Sequence, residues 1–511
     1  MKMVKSLLLG SAAGLVAVAG AQAADLPVKA KPVEYVKICS LYGAGFFYIP
    51  GTDTCIKLGG AVRVQAEFNA GTGGTPVGLG QATEAGQGDF TRNLTNDTNW
   101  RTRLYFSVDA RQQTEYGTLR TFFRFGAQQT TPGDTSANNT AVFWDRAFIQ
   151  FAGFTVGKTL SFFDGVSFAT FNYNNPRTTF DTGPNGLTVW AYTWQLGNGI
   201  SATISAEDPN GRTKLVDSTG ITTWTFGSVG VNANGLAANA GGNGMLFPDV
   251  IGALRVDQAW GSAQVMAAMH DASGQYYTNG IVSSGHPDNT FGWAAGAAIA
   301  INLPTWGATS NVNSQPNVDQ FQMQAAYGRG AAGFTTNGVG PWLLTNGGNH
   351  AAVGWLADGV FGPAFTGIEL TTSWSVYGGY QHLWSPNWRT SVYGGFLSVS
   401  FDDTATTFIC GAGGLGGAGS LLDGVGFALT AGSPCSPNFN VWQAGTRTQW
   451  NPVSQLDIGV DVLYSRLNTG LAGATTTGVG AGILPGKVGG VTFSDQDVWS
   501  VMFRVQRNFW P

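Results

Sequence analysis

Charged residues are scarce in this sequence, and long apolar runs are missing after its first two dozen residues. Asp, Glu, Lys and Arg make up only 11% of the 511 residues, whereas the surface helices of an ordinary soluble domain need many of them. Beyond Ala24, no stretch reaches the roughly 18 consecutive apolar residues of a membrane-spanning helix. The sequence therefore favours neither a helical soluble protein nor a helical membrane protein.

Motifs of enzymes and of cofactor-binding proteins are also missing. The chain has no GxSxG or HExxH motif, and its four histidines are scattered. A GxGxxG match at 411–416 falls in a predicted loop that no helix follows, so it does not indicate a dinucleotide site. The sequence therefore predicts no enzymatic activity, no cofactor and no metal site.

Cysteine is rare, and the four cysteines form two close pairs. Cys39 is near Cys55, and Cys410 is near Cys435. In an exported protein this arrangement predicts two local disulfides, although four cysteines permit three pairings and only proximity favours this one. A zinc site is the alternative, but neither pair has CxxC spacing or an adjacent histidine.

Export itself is predicted by the first 23 residues, which have the layout of a secretory signal peptide. Lys2 and Lys5 precede an apolar run at 7–19, and the small residues at 21–23 suit cleavage. Without those two lysines, the 26 basic residues become 24 against 30 acidic ones, a formal charge of −6. This balance argues against nucleic acid as a partner.

What the sequence has in abundance is glycine, aromatic residues and the alternation of half-apolar strands. There are 75 glycines, and 12% of the residues are aromatic. In the last segment, one side of a strand carries Trp499, Val501, Phe503, Val505 and Phe509, and the other carries Ser500, Arg504, Gln506 and Asn508. Because no helical core exists to cover such strands, membrane lipid is the expected apolar partner, and the polar sides would enclose a passage.

Sixteen segments show this alternation, joined in turn by short turns and long loops, which predicts an all-β transmembrane antiparallel β-barrel. They lie near 56–68, 98–111, 117–128, 141–152, 153–163, 186–196, 199–207, 249–259, 261–271, 290–303, 318–328, 371–384, 387–401, 440–450, 454–468 and 496–509. The predicted organisation is a signal peptide (1–23), a periplasmic N-terminal segment with a disulfide (24–55) and the barrel (56–511). The turns should face the periplasm and the eight long loops the outside.

Several segments resemble the alphaproteobacterial porins of the rhizobial and Brucella type. They are ADLPVKA (24–30), VEYVKIC (33–39), YGAGFFYIPGTDTCIKLGG (42–60), RAFIQFAGFTVGKT (146–159) with SFFD (161–164), and VDQAWGSAQV (256–265). The resemblance implies a trimeric general-diffusion porin of the bacterial outer membrane, with sixteen strands and a third loop folded into the lumen. One departure concerns the aromatic residue that commonly ends such barrels, because Trp510 and Pro511 follow Phe509 here.

A porin acts through the charges at its constriction, because a narrow, low-dielectric passage focuses their field. Arginines on the polar sides of the first four strands predict a basic wall, formed by Arg63, Arg101, Arg103, Arg120, Arg124 and Arg146. If the third loop folds inward, Asp164 and Asp181 become the acidic residues that face this wall. The bland alternative is that the arginines merely solvate the lumen and the loop stays outside.

The predicted function is passive diffusion of small hydrophilic solutes and ions, with outer-membrane lipid and further copies of the chain as partners. The sign of the ion preference does not follow from the total charge. Tryptophans near strand ends fit interfacial girdles, and an aromatic slide that guides sugars is the sharper alternative. The competing functions are a channel selective for a sugar or an anion and, in a different class, a surface adhesin rich in β-structure.

Overall fold

The computed structural model describes residues 37–71, 75–76, 98–131, 141–183, 186–212, 214–218, 246–274, 276–277, 283, 285–303, 318–338, 342–344, 348–362, 366–410, 429–476 and 490–509. The predicted signal peptide (1–23), the remainder of the N-terminal segment up to residue 36, Trp510 and Pro511 all lie outside these residues.

Within the described residues, sixteen long strands, labelled β1 to β16 in chain order, form one sheet. Their bounds are Cys55–Phe68, Thr98–Thr114, Gly117–Thr131, Ala141–Phe151, Phe154–Thr159, Leu187–Gly197, Ile200–Glu207, Asp249–Gln258, Gly261–Asp271, Phe291–Leu303, Asp319–Arg329, Thr372–Ser385, Trp388–Ser400, Phe439–Trp450, Leu456–Thr469 and Gln496–Asn508. Every one overlaps a segment predicted from alternation, so the strand prediction is confirmed. The largest difference is β5, which ends at Thr159 rather than near 163, because the chain leaves the wall there.

The sheet closes on itself. Each strand pairs antiparallel with the next one, and β1 pairs with β2 on one edge and with β16 on the other. In this register Gln65 of β1 lies opposite Arg101 of β2 and opposite Arg504 of β16. The predicted sixteen-stranded antiparallel barrel is therefore confirmed, and its wall has no free sheet edge.

Alternation along the strands separates two surfaces. On β1, the apolar side chains of Val62 and Val64 are 47% and 45% exposed on the outside, while Gln65 and Glu67 are buried toward the lumen. Apolar residues on the outside and polar residues inside are the arrangement of a barrel in lipid. Within the part of the chain that the structure describes, no helix is both long enough and apolar enough to cross a membrane.

The turns at one end of the barrel are tight. Strands β4 and β5 are joined by Ala152 and Gly153, and β6 and β7 by Asn198 and Gly199, all four with positive φ. Two such residues in sequence form the turn that matches the twist of a two-stranded hairpin. Residues 304–317, which link β10 to β11 in the sequence, fall outside the described residues.

At the opposite end, the described segments of several long loops turn inward and pack within the mouth of the barrel. Segments at Trp342–Leu344, His350–Gly354 and Thr492–Phe493 form one small sheet, and Leu215–Ser218, Ala357–Phe361 and Ile368–Leu370 form another. Apolar residues of the first sheet and its neighbours pack against inward-facing Leu397, Val441 and Leu467 of the wall. This inner layer is not among the features predicted from the sequence.

Both predicted disulfides are present. Cys39 bonds to Cys55 and so ties the N-terminal segment to the start of β1. Cys410 ends a short helix, α1 (Asp403–Cys410), and bonds to Cys435. The second bond joins the two ends of the loop between β13 and β14.

Candidate functional site: the constriction

Loop 3, of which the structure describes residues 160–183 and 186 between β5 and β6, crosses the lumen and packs on the inner faces of strands on the far side. Gln264 Nε2 on β9 donates a hydrogen bond to the Phe162 carbonyl at 2.9 Å. Arg447 on β14 donates to the Thr170 carbonyl at 2.6 Å. An inward-folded third loop is therefore confirmed, and it narrows the passage to the space between the loop and β1–β4.

Aromatic side chains and small wall residues hold the loop in place. Phe163 is fully buried, and its ring packs beside Gly296 and 4.8 Å from the Phe334 ring. Phe171 is also fully buried, and a Cβ added at Gly379 would lie only 2.6 Å from its ring. Because Gly296 and Gly379 have no side chains, the loop packs closely against the wall.

The tip of the loop is held at Tyr173 by a set of charged wall residues. Its ring is flanked by the guanidinium groups of Arg504 and Arg447, whose central carbons lie 4.1 and 5.0 Å from the ring centre. The Tyr173 hydroxyl donates to Asp457 at 2.5 Å, and its backbone N–H donates to Asp461. These contacts bind one segment of loop 3 to both β15 and β16.

Several hydrogen-bond donors meet at the carboxylate of Asp461. Its carboxylate also accepts hydrogen bonds from the Asn174 N–H at 3.0 Å and from the Tyr393 hydroxyl at 2.5 Å, and the side chain is fully buried. A buried carboxylate with several donors is stabilised in its place, because each donor offsets part of the cost of desolvation. Asp461 is therefore a main polar anchor of the loop tip.

A cavity of about 540 Å³ lies between loop 3 and the wall. The wall side of this cavity carries six arginines: Arg63, Arg101, Arg103, Arg124, Arg146 and Arg504. Five of them belong to the predicted basic wall. The sixth predicted member, Arg120, is not part of this lining, because it binds Asp109 at 3.0 Å and Gln150 at 2.9 Å nearer the end with the tight turns.

The arginines of the cavity differ in their partners. Arg124 forms an ion pair with Asp145 at 2.7 Å, and Arg101 lies 4.0 Å from Glu67. Arg63 instead donates to the neutral Gln506 side chain at 2.7 Å. Two of the charges are therefore compensated locally.

Arg103 binds neutral groups, as Arg63 does. It donates to Gln128 at 2.8 Å and to the Tyr105 hydroxyl at 2.8 Å. Among the described residues, no carboxylate lies within ion-pair distance of Arg63, Arg103 or Arg504. The positive charge of these three side chains is thus left to act on the cavity.

Asp164 and Asp181 lie inside loop 3 and not along this cavity. Asp164 binds Arg212 at 2.7 Å and accepts from the Thr182 N–H at 2.8 Å, while Asp181 accepts from the Phe168 N–H at 2.6 Å. Burial raises the pKa of both carboxyl groups, and the charge of Asp164 raises that of Asp181 further. The structure thus places the two predicted lumen acids where they fix the fold of the loop.

The loop face of the cavity is consequently neutral. Its polar lining comes from Ser167, Asn172 and Asn175, and no Asp or Glu of the described residues lines the cavity on either side. The constriction is therefore charged on one side only.

Sequence reasoning did not include Arg504 and Arg212 in the site. The alternation places Arg504 on the polar side of the last strand, and closure of the barrel brings that strand next to β1. Because the sequence predicts a closed barrel, alternation and closure together are enough to place Arg504 beside the arginines of β1. Arg212 follows β7 in a segment without alternation, and nothing in its surroundings in the sequence indicates that its guanidinium donates to the carbonyls of Phe180 and Gly333.

The tryptophans near strand ends lie on the outer surface. Eight of these tryptophans are at least 37% exposed: Trp190, Trp194, Trp374, Trp384, Trp388, Trp442, Trp450 and Trp499. No tryptophan of the described residues lines the cavity at loop 3. This placement suits girdles at the membrane surfaces and gives no support to an aromatic slide.

Comparison with known proteins agrees with this architecture. The profile of the porin subfamily matches residues 25–501. Porin Omp2b of Brucella suis is 34% identical over 352 residues, which cover 63% of this chain and 84% of that protein. Porin Omp2b of Brucella abortus (strain 2308) is 34% identical over 273 residues, which cover 51% of this chain and 64% of that protein.

Among solved structures, the outer membrane channel DcaP of Acinetobacter baumannii is similar with a TM-score of 0.49 and 13% identity, covering 90% of this chain and 99% of that one. Salmonella typhi OmpF has a TM-score of 0.44 and 9% identity, covering 89% and 98%. A sixteen-stranded closed barrel, an inward third loop and a subfamily match over most of the sequence lead to one conclusion. The chain belongs to the porin subfamily.

Proposed function

We propose that this porin of the bacterial outer membrane is a passive general-diffusion channel whose constriction favours anions over cations. Small hydrophilic solutes pass between loop 3 and the wall down their concentration gradients, and the protein catalyses no reaction. The observation that carries the ion preference is the lining of the 540 Å³ cavity, which has six arginines on the wall and a neutral loop opposite them.

The charge count supports this sign. Glu67 and Asp145 each lie beside one of the arginines, whereas Arg63, Arg103 and Arg504 have no carboxylate within ion-pair distance among the described residues. The surrounding protein has a low dielectric constant and concentrates the field of these charges in the passage. An anion is therefore attracted into the constriction, whereas a cation of the same size is repelled.

The test is a reversal-potential measurement on the mature protein in planar bilayers under a potassium chloride gradient. The expected sign is that of chloride preference, and uncharged sugars should enter liposomes at rates that fall with their size. A cation preference would contradict the proposed selectivity. Failure to form channels at all would contradict the diffusion function.

We also propose that three copies assemble side by side in lipid, as the family resemblance implies. The outward apolar faces of the strands support contact with lipid and with neighbouring barrels. Native mass spectrometry in detergent should give a trimer mass, and a monomer mass under gentle conditions would contradict this assembly.

For the N-terminal region, we propose that residues 1–23 are removed on export and that the segment up to Cys55 lies on the periplasmic side. The position of Cys55 at the start of β1, at the end of the barrel with the tight turns, supports that side. N-terminal sequencing of the purified protein should begin at Ala24.

A further inference from the structure

We infer that the arginine cluster at the constriction is a saturable binding site for small oxyanions that carry two or more negative charges, with phosphate chemistry as the best fit. This inference rests on the proposed channel function and deepens it. Such anions bind at the constriction before they cross it, whereas chloride passes through without binding.

Strand register brings the guanidinium groups together in two adjacent rows. One row runs from Gln506 of β16 through Arg63 and Arg103 to Gln128 of β3. Side chains directly opposite each other in an antiparallel sheet have Cβ atoms about 5 Å apart, and like charges in such pairs are destabilising. Arg63 and Arg103 form such a pair, and an anion between them would relieve the repulsion.

The second row runs from Arg504 of β16 through Gln65 to Arg101 of β2. The two rows therefore place four guanidinium groups on three adjacent strands, all facing one cavity. Above the first row, the ring of Tyr105 lies 5.4 Å from the central carbon of Arg63 and 5.7 Å from that of Arg103. This ring limits the positions that the two arginines adopt and so preorganises them.

Donor groups remain for a ligand to use. Arg63 binds Gln506 through Nε alone, and neither of its terminal nitrogens has an acceptor among the described residues. Guanidinium groups bind the paired oxygens of phosphate and carboxylate through parallel N–H bonds, so the unused donors match an oxyanion and not a halide.

The charge balance sets the valence of the ligand. Arg63, Arg103 and Arg504 have no carboxylate within ion-pair distance in the described structure, and the loop face contributes none. One negative charge cannot compensate three positive ones, whereas a phosphate dianion or a pyrophosphate compensates most of them. A cavity of about 540 Å³ accommodates either group with water around it.

Competition in planar bilayers tests the inference. Chloride current through the wild-type channel is recorded while phosphate, pyrophosphate, malonate or glucose is added at constant ionic strength and mildly alkaline pH. Pyrophosphate and phosphate should block the current saturably, and glucose should not. If malonate blocks the current as strongly as phosphate does, the site recognises the charge of an oxyanion and not phosphate in particular.

The R63Q/R103Q variant should raise the half-blocking concentration of pyrophosphate by about tenfold or more, because two guanidinium groups are lost. The matched control is Arg466→Gln, which removes one guanidinium from the outer face of β15, beside Asp495 at 3.2 Å. Its block should equal that of the wild type. Circular dichroism of each variant checks that the barrel is folded.

Two results would overturn the site. One is a conducting wild-type channel without any block by pyrophosphate, and the other is block that persists unchanged in R63Q/R103Q. Either result leaves the diffusion function intact, because the channel still conducts chloride. Absence of conductance in the wild type would instead be a failure of the proposed function itself.

Discussion

Arg103 and Arg124 lie on neighbouring strands of the constriction and offer a controlled test of its field. Arg124 is paired with Asp145 at 2.7 Å, whereas Arg103 binds only the neutral side chains of Gln128 and Tyr105. Arg103→Gln therefore removes one net positive charge from the passage. The double variant R124Q/D145N removes a guanidinium too, but it leaves the net charge unchanged.

The size of the effect follows from Coulomb's law. At about 6 Å from the guanidinium in water, a monovalent ion gains or loses about 0.7 kcal/mol. Screening in 0.1 M salt, where the Debye length is about 10 Å, reduces this to about 0.4 kcal/mol. Because Arg103→Gln disfavours the anion and favours the cation, the two changes add to about 0.8 kcal/mol, which is a roughly fourfold lower ratio of chloride to potassium permeability.

The assay is the reversal potential in planar bilayers, measured for the wild type, Arg103→Gln and R124Q/D145N under the same gradient. Lower ionic strength should enlarge the difference, because screening weakens. An equal shift in both variants would refute the reasoning, since it would mean that ion preference follows the number of guanidinium groups and not the net charge.

Three further predictions concern the anchoring of the loops. Asp461→Leu leaves the backbone donors of loop 3 unpaired at a cost of about 1–3 kcal/mol each, so the loop tip should detach and single-channel conductance should rise. Burial and the charge of Asp164 raise the pKa of Asp181. The contribution of Asp181 to loop stability is therefore complete at acid pH and is lost as the pH rises through the raised pKa. As a result, open-channel noise should grow with pH in the wild type. Replacing Cys410 and Cys435 with Ser removes a bond that closes a span of 25 residues, which should destabilise this region by about 3 kcal/mol and lower the midpoint of thermal unfolding.

Each of these has a matched control. Asp461→Asn keeps an oxygen that accepts hydrogen bonds, so its conductance should stay near the wild-type value, and equal conductance in the Leu variant would exclude the anchoring role. Asp181→Asn should make the noise independent of pH over the same range. An unchanged midpoint in the variant without Cys410 and Cys435 would show that packing, and not the disulfide, holds the loop between β13 and β14.

The barrel was predictable because a single physical rule, alternation between a lipid face and a lumen face, acts on every strand. The register of each strand is fixed by that rule, since a slip by one residue would place charges such as Arg103 in hydrocarbon. The end of β5 was missed by a few residues because alternation continues into loop 3, where Phe163 faces an apolar wall and not lipid.

The basic wall followed from the same rule, but the acidic side of the constriction did not. Asp164 and Asp181 were assigned by their position in the loop, and sequence spacing does not reveal which way a loop side chain points. The deciding partner, Arg212, comes from the next loop and binds Asp164 directly. Contacts between loops depend on how the segments fold over one another, and no periodic pattern in the sequence records that.

The pairing of β1 with β16 has a consequence for biogenesis. Residues 443 positions apart in sequence, Arg63 and Gln506, sit side by side at the seam. A polypeptide that lacks its final strand would present two rows of unsatisfied amide and carbonyl groups to acyl chains, a penalty that hydrocarbon cannot relieve. The barrel can therefore close only after β16 has been exported. Until then, the open chain needs chaperones that prevent its aggregation.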